Sequence, residues 1–272
     1  MIDILLATYN GEKYLREWLQ SLSKQTYSDW RLLVHDDGST DHSMHILREE
    51  TAGWPQEVKI LPPEPKPLGA IRSFEKLLKA SDSDYCAFAD QDDVWLPEKL
   101  ALCIEAMQKE EAIHERKTPI VVHTDMRVVD SELNKIDGSF WQYSNLRPAL
   151  LESDVHYLAV ANCLTGCTML LNNAAREVAL PIGENAYMHD AWTGLQVMLH
   201  GGEIVAIDTP TLLYRQHEGN TLGAVRYRFS LLNWKEKWRL ARQSYRGGHP
   251  QVFKNRLHFA WWKMRYFIAL HI

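Results

Sequence analysis

Through residues 1–110, short apolar runs that end in polar clusters alternate with segments whose apolar residues recur at helical spacing. Few folds accommodate that alternation. Ile2–Ala7 is the first such run, and Leu15, Trp18, Leu19 and Leu22 follow it at helix period. Trp30–Val34 predicts a second strand, closed by Asp36-Asp37-Gly38-Ser39, with Asp41 placed to cap a helix carrying Met44, Ile46 and Leu47. A third strand, Val58–Leu61, runs into Pro62-Pro63-Glu64-Pro65-Lys66-Pro67, which lacks the amide donors regular structure needs. A helix bearing Ile71, Phe74, Leu77 and Leu78 then leads to strand Tyr85–Ala89, closed by Asp90-Gln91-Asp92-Asp93. Strands and helices in alternation call for a parallel sheet covered by helices on both faces. Such sheets bind ligands at the carboxyl ends of their strands. Thr8–Asn10, Asp36–Asp37 and Asp90–Asp93 all stand at such ends and should converge.

The second half is less regular. Ile120–His123, Arg127–Val129, Met169–Leu171 and Ile204–Ile207 suggest strands, and His189–Leu199 a helix. The chain opens directly on a strand-like run with no basic leader, so no signal peptide is expected. No apolar run approaches the roughly 18–20 residues of a spanning helix. Cys86, Cys103, Cys163 and Cys167 lack disulfide or zinc-ribbon spacing and are expected to be reduced, as in a cytoplasmic protein. Charge is divided sharply. Residues 224–272 hold eleven Lys/Arg against Glu236 alone, a charge of +10, whereas the preceding 223 residues carry −15.

Asp90, Asp92 and Asp93 repel one another unless a cation or solvent compensates. An oxygen-only set of this density suits Mg²⁺ or Mn²⁺; a solvated acidic turn is the plainer alternative. Asp36-Asp37 reads either as a helix-capping turn or as an acceptor for a base or ribose. No G-x-G-x-x-G and no phosphate-loop motif occurs, so dinucleotide and P-loop readings lose their main support. His189-Asp190 opens a helix, where Asp190 is either its N-cap or a functional carboxylate. In Tyr214–Asn220, His217 could supply a nitrogen ligand and Arg215 could meet a phosphate.

The order Ala7-Thr8-Tyr9-Asn10-Gly11, Asp36-Asp37-Gly38-Ser39, Phe88–Trp95, Thr165-Gly166-Cys167, His189-Asp190 and Tyr214–His217 resembles the family 2 glycosyltransferases. That is an inverting family with the GT-A fold, and the likeness is greatest to bacterial enzymes described as rhamnosyltransferases. The resemblance implies an α/β chain with a mostly parallel central sheet, a Rossmann-like nucleotide-binding half and an appended helical segment. Residues 1–223 would be catalytic, with donor binding in 1–110 and acceptor binding in 111–223; 224–272 would be the tail. It implies transfer of a sugar from a dTDP- or UDP-sugar to a saccharide or lipid-linked acceptor in polysaccharide synthesis. Thr8, Tyr9, Asn10, Asp37, Arg72, Asp90, Gln91, Asp92 and Gly166 would bind the donor. Asp92, Asp93 and His217 would hold Mn²⁺ or Mg²⁺, and Asp190 would be the general base. The chain departs from the family pattern at Pro67, Ser73 and His189. A sugar nucleotidyltransferase and a non-catalytic sugar-nucleotide-binding protein remain as alternatives.

The tail combines its charge with Tyr227, Phe229, Trp234, Trp238, Tyr245, Phe253, Trp261, Trp262, Tyr266 and Phe267. Such a segment suits either the inner membrane surface, making the enzyme a peripheral one, or packing on the domain or a second copy. The acidic remainder argues against nucleic acid.

Overall fold

The computed structural model describes residues 1–114, 117–219, 223–224, 242, 245–246 and 251–271. The elements are β1 (Ile2–Thr8), α1 (Leu15–Leu22), β2 (Trp30–Asp36), α2 (Ser43–Thr51), β3 (Val58–Ile60), α3 (Ala70–Ala80), β4 (Tyr85–Ala89) and β5 (Val94–Trp95). There follow α4 (Lys99–Ile113), β6 (Ile120–Val129), β7 (Lys135–Asp137), α5 (Phe140–Tyr143), α6 (Pro148–Leu151) and α7 (Val155–Val160). A 3₁₀ turn (Gly166–Thr168) precedes β8 (Leu170–Asn172), α8 (Asn173–Ala179), α9 (His189–Leu199), β9 (Glu203–Arg215) and α10 (Arg256–His271).

The strands form one sheet in the order β3-β2-β1-β4-β8-β6-β9-β5, with β7 on β6. β3, β2, β1 and β4 are parallel, as the alternation predicts. Leu5 of β1 enters the core shared with α3 and α9, while Ile4 and Leu6 enter the core shared with α1, α2 and α4. Burial on both faces is why β1 reads as a nearly unbroken apolar run. β8 runs antiparallel to both β4 and β6, which makes the whole sheet mixed. A three-residue strand carries no direction in its own residues.

Two strand readings need correction. Ile120–His123 and Arg127–Val129 are one strand, β6, because Thr124 and Asp125 are buried and bonded rather than looped out. Thr124 Oγ1 meets Thr211 Oγ1 at 2.6 Å, and Asp125 accepts from the Trp141 amide at 3.2 Å. β9 extends well beyond Ile207, absorbing Pro210 where its register with β6 shifts. Asp41 accepts the first-turn amide of Ser43 at 2.9 Å and so supports the start of α2.

At the start of β1, Asp3 is fully buried and accepts from Arg31 Nε (2.6 Å), Ser81 Oγ (2.7 Å) and Ser83 Oγ (2.7 Å). It joins β1, β2 and the turn into β4. All four cysteines are buried and unpaired. In the tail, α10 packs on α7, with the Trp262 ring centroid 5.1 Å from that of Tyr157. Tyr227, Phe229, Trp234 and Trp238 lie outside the described residues. No helix among the described residues is long and apolar enough to cross a membrane.

Candidate active site

The carboxyl ends of β1 and β4, the loop after β2 and the start of α9 enclose a cleft of about 540 Å³, within the range typical of small-molecule sites. Thr8, Tyr9, Asp37, Asp90, Gln91, Asp92, Gly166 and Asp190 line it. The predicted convergence of the polar clusters is therefore present.

Several of these side chains also hold the cleft together. Gln91 accepts from Thr8 Oγ1 at 2.6 Å and from the Tyr9 amide at 3.1 Å, and donates to the Tyr9 carbonyl at 3.0 Å. Gly11 permits this strut, since a Cβ there would lie 2.2 Å from Gln91 Oε1. Asp37 accepts the amides of Leu68 (2.6 Å) and Gly69 (2.8 Å), which seats the loop before α3.

Four sequence candidates are not in the cleft wall. Asn10 instead accepts the Thr40 amide at 2.8 Å and donates its own amide to Ser39 Oγ, tying the β1 loop to the β2 loop. Arg72 donates to the Ile182 carbonyl (2.7 Å) and pairs with Glu75. Asp93 points inward, accepting the Arg215 amide at 3.2 Å. His217 stands behind the wall and meets Asp92 Oδ2 at 2.8 Å through Nε2, its ring 4.8 Å from Tyr14. Arg215, considered for a phosphate, is buried; it donates to the Asp92 and Ser131 carbonyls, pairs with Glu17 and stacks on Tyr14. Nothing in the spacing of Tyr14 and Glu17 on the α1 segment signals this supporting role.

Asp190 is the second residue of α9, not its cap, which is Met188. It accepts from the Gly166 amide at 3.0 Å and the Ala191 amide at 2.6 Å. Burial nevertheless pushes its pKa up to about 6. His189 is buried: it stacks on Phe74 with centroids 3.8 Å apart and meets Phe88 edge-on at 4.6 Å. Burial drives it down to about 3, so the ring is neutral. Gly166 is required beside it, because a Cβ would lie 2.6 Å from His189 Nε2.

Opposite Asp190, charge is uncompensated. Burial, then Asp92 and Asp190, push Asp90 up to about 7. Burial, then Asp92 and Asp90, hold Asp93 well above the carboxylate range, and its Oδ2 has no partner among the described residues. An orphaned buried carboxylate oxygen, like-charged neighbours and an adjoining imidazole are what a divalent cation would relieve, so the residues fit one. Another group of ligand-type side chains is bonded within itself: His123 Nε2 lies 2.6 Å from Glu152 Oε1, which also accepts from Cys163 Sγ at 3.8 Å.

Comparison with known proteins shows the family and the fold. Residues 3–177 match the model for "Glycosyl transferase family 2". The dTDP-rhamnosyl transferase RfbG of Shigella flexneri is 28% identical over 226 residues, covering 80% of this chain and 74% of that protein. The structure of S. aureus TarS 1-349 in complex with UDP-GlcNAc superposes with a TM-score of 0.64 at 18% identity, over 98% of this chain and 71% of that one. The mannosyltransferase PcManGT from Pyrobaculum calidifontis, in complex with GDP-Man and Mn²⁺, gives 0.62 at 14% identity, over 100% and 70%. The chain belongs to glycosyl transferase family 2 and is a glycosyltransferase with the GT-A fold.

Proposed function

We propose that this enzyme transfers a sugar, rhamnose as the first candidate, with inversion from a dTDP- or UDP-sugar to a saccharide or lipid-linked acceptor. The setting is the inner face of the plasma membrane, with 1–223 as the catalytic domain and 224–272 as its appended tail. The carrying observation is Asp190, a carboxylate with raised proton affinity at the cleft wall, facing Asp90 and Asp92. One Asp190 oxygen accepts the proton of an acceptor hydroxyl as that oxygen bonds to the anomeric carbon. The carbon–oxygen bond to the diphosphate breaks on the opposite face, and the nucleoside diphosphate leaves with the electron pair. General-base help of this kind is worth about 10²–10⁴ in rate.

Thr8, Tyr9 and Asp37 would contact the nucleoside, and Gly166, whose amide Asp190 accepts, would lie close to the donor sugar. Asp92, Asp93 and His217 would hold the cation, with Asp90 adding negative charge beside it. When bound, Mn²⁺ or Mg²⁺ supplies charge neutralisation for the departing diphosphate. The RfbG likeness supports a dTDP-sugar, the TarS and PcManGT structures support a nucleotide-sugar donor, and the PcManGT structure supports a metal.

A thermal-shift panel of dTDP, UDP, GDP and ADP, with and without Mn²⁺, tests the reading on wild type and Asp92→Ala. Ligand at about a hundred times Kd should add roughly 2.7 kcal/mol. A metal-dependent shift with one pyrimidine diphosphate, lost in the variant, is expected. No response to any of the four would sink it. Release of nucleoside diphosphate, not pyrophosphate, separates sugar transfer from nucleotidyl transfer.

A further inference from the structure

Helix α10 is apolar on two opposite faces, and the fold covers one of them. Phe259 (8% exposed), Trp262 (8%), Tyr266 (7%) and Leu270 (8%) form the buried face. Leu257, Trp261, Met264 and Ile268, spaced four, three and four residues apart, share the opposite one. Their exposures are 82%, 45%, 54% and 47%. Of the eleven large hydrophobic side chains exposed among the described residues, five belong to this helix, so the exposure is a patch rather than scatter. A helix apolar all round is normally buried.

We propose that the outer face of α10 lies on an anionic lipid surface, with Leu257, Trp261, Met264 and Ile268 in the headgroup–acyl boundary. Residues 251–271 contain Lys254, Arg256, Lys263 and Arg265 and no acid. Arg265 stacks over Trp261 at 4.7 Å, which places a cation beside the aromatic ring that favours the interface. Lys263 is not a lipid contact, since its ammonium donates to the Val160 carbonyl at 2.6 Å on the buried side. The helix has 16 residues, a length of about 24 Å at the usual rise, and lies in the membrane plane rather than across it. A second copy fits less well. A two-fold contact through this face would set Arg256 and Arg265 of each copy against the same cations of the other, with no acid in the segment to offset them. The inference deepens the lipid-linked-acceptor reading, for it brings the enzyme to the surface where such an acceptor resides.

Vesicle flotation tests it, with no substrate present, so its result is independent of the catalytic reading. The full chain is mixed with phosphatidylcholine vesicles, with and without added phosphatidylglycerol. The wild type should float with the anionic vesicles alone. The Arg256→Gln/Arg265→Gln variant should bind on the order of 25-fold more weakly, about fivefold per cation. The Trp261→Ser/Met264→Ser/Ile268→Ser variant should stay unbound while keeping the wild-type melting temperature and nucleotide-induced shift. A wild type that ignores anionic vesicles, or an outer-face variant that floats like wild type, overturns the proposal. So does a lipid-independent dimer that this variant dissociates.

Discussion

Asp3 and the Asp90–Asp93 group occupy opposite ends of neighbouring strands in one sheet, and the protein treats their charges in opposite ways. Burial raises the pKa of Asp3, but the bonds from Arg31, Ser83 and Ser81 outweigh it and the carboxyl ends below its ordinary value. At the carboxyl end of β4, burial and like charge outweigh the bonds from Cys167 and the Arg215 amide, and Asp90 and Asp93 end well above theirs. The first arrangement stabilises the fold. The second opposes folding and persists because a ligand is to be bound there. A buried carboxylate therefore says nothing until its neighbours are counted.

The largest expected effect comes from removing the one carboxylate on the ligand side assigned to proton transfer. Asp190→Asn should lower kcat by about 10²–10⁴ while leaving nucleotide affinity nearly unchanged. Steady-state kinetics with isothermal titration separates the two, and a loss of nucleotide binding instead would remove Asp190 from its role. On the folding side, Asp3→Ala removes the carboxylate that Arg31, Ser81 and Ser83 share and leaves Arg31 only Asp82 and Glu57 at the surface, so it should cost about 1–3 kcal/mol in chemical denaturation. Because the folded pKa of Asp3 is depressed, its contribution is complete above about pH 4 and is lost as pH falls through the folded value. The gap between wild type and variant should therefore close in acid.

A third test uses pH alone. Asp190 acts as a base when ionised and is pushed up to about 6, so kcat should fall about tenfold per pH unit below that value. A rate flat down to pH 4 would contradict the assignment. The smallest effect sharpens the contrast most. Asp93→Asn keeps an acceptor for the Arg215 amide but removes uncompensated charge. Without divalent cation it should raise stability by ~1 kcal/mol, a melting shift of about 2–4 °C. Destabilisation there would mean that Asp93 is compensated after all.

The β/α half of the chain was legible because strands buried on both faces leave apolar runs without any need of context. β6 was not, since Thr124 and Asp125 look like a loop until Thr211 and Trp141 are brought alongside. The site divides similarly. Asp90, Asp92 and Asp190 reach the cleft from positions that follow directly from strand and helix ends, whereas Gly166, expected only from the family resemblance, reaches it from the 3₁₀ turn before β8. Asn10, Arg72 and Arg215 have side chains equally suited to a nucleotide, and only the fold shows them bonded to Thr40, Ile182 and Asp92, each distant in sequence.

Local spacing settles which residues share a helix face, where strands end and which polar clusters meet at a sheet edge, because those follow from backbone geometry. It does not settle whether a carboxylate is paired or orphaned, nor which face of α10 is covered. Desolvation and hydrogen-bond supply depend on atoms that only the folded chain brings within a few ångströms. That is why Asp3 and Asp93, alike as buried aspartates beside β-strands, carry opposite shifts and opposite meanings.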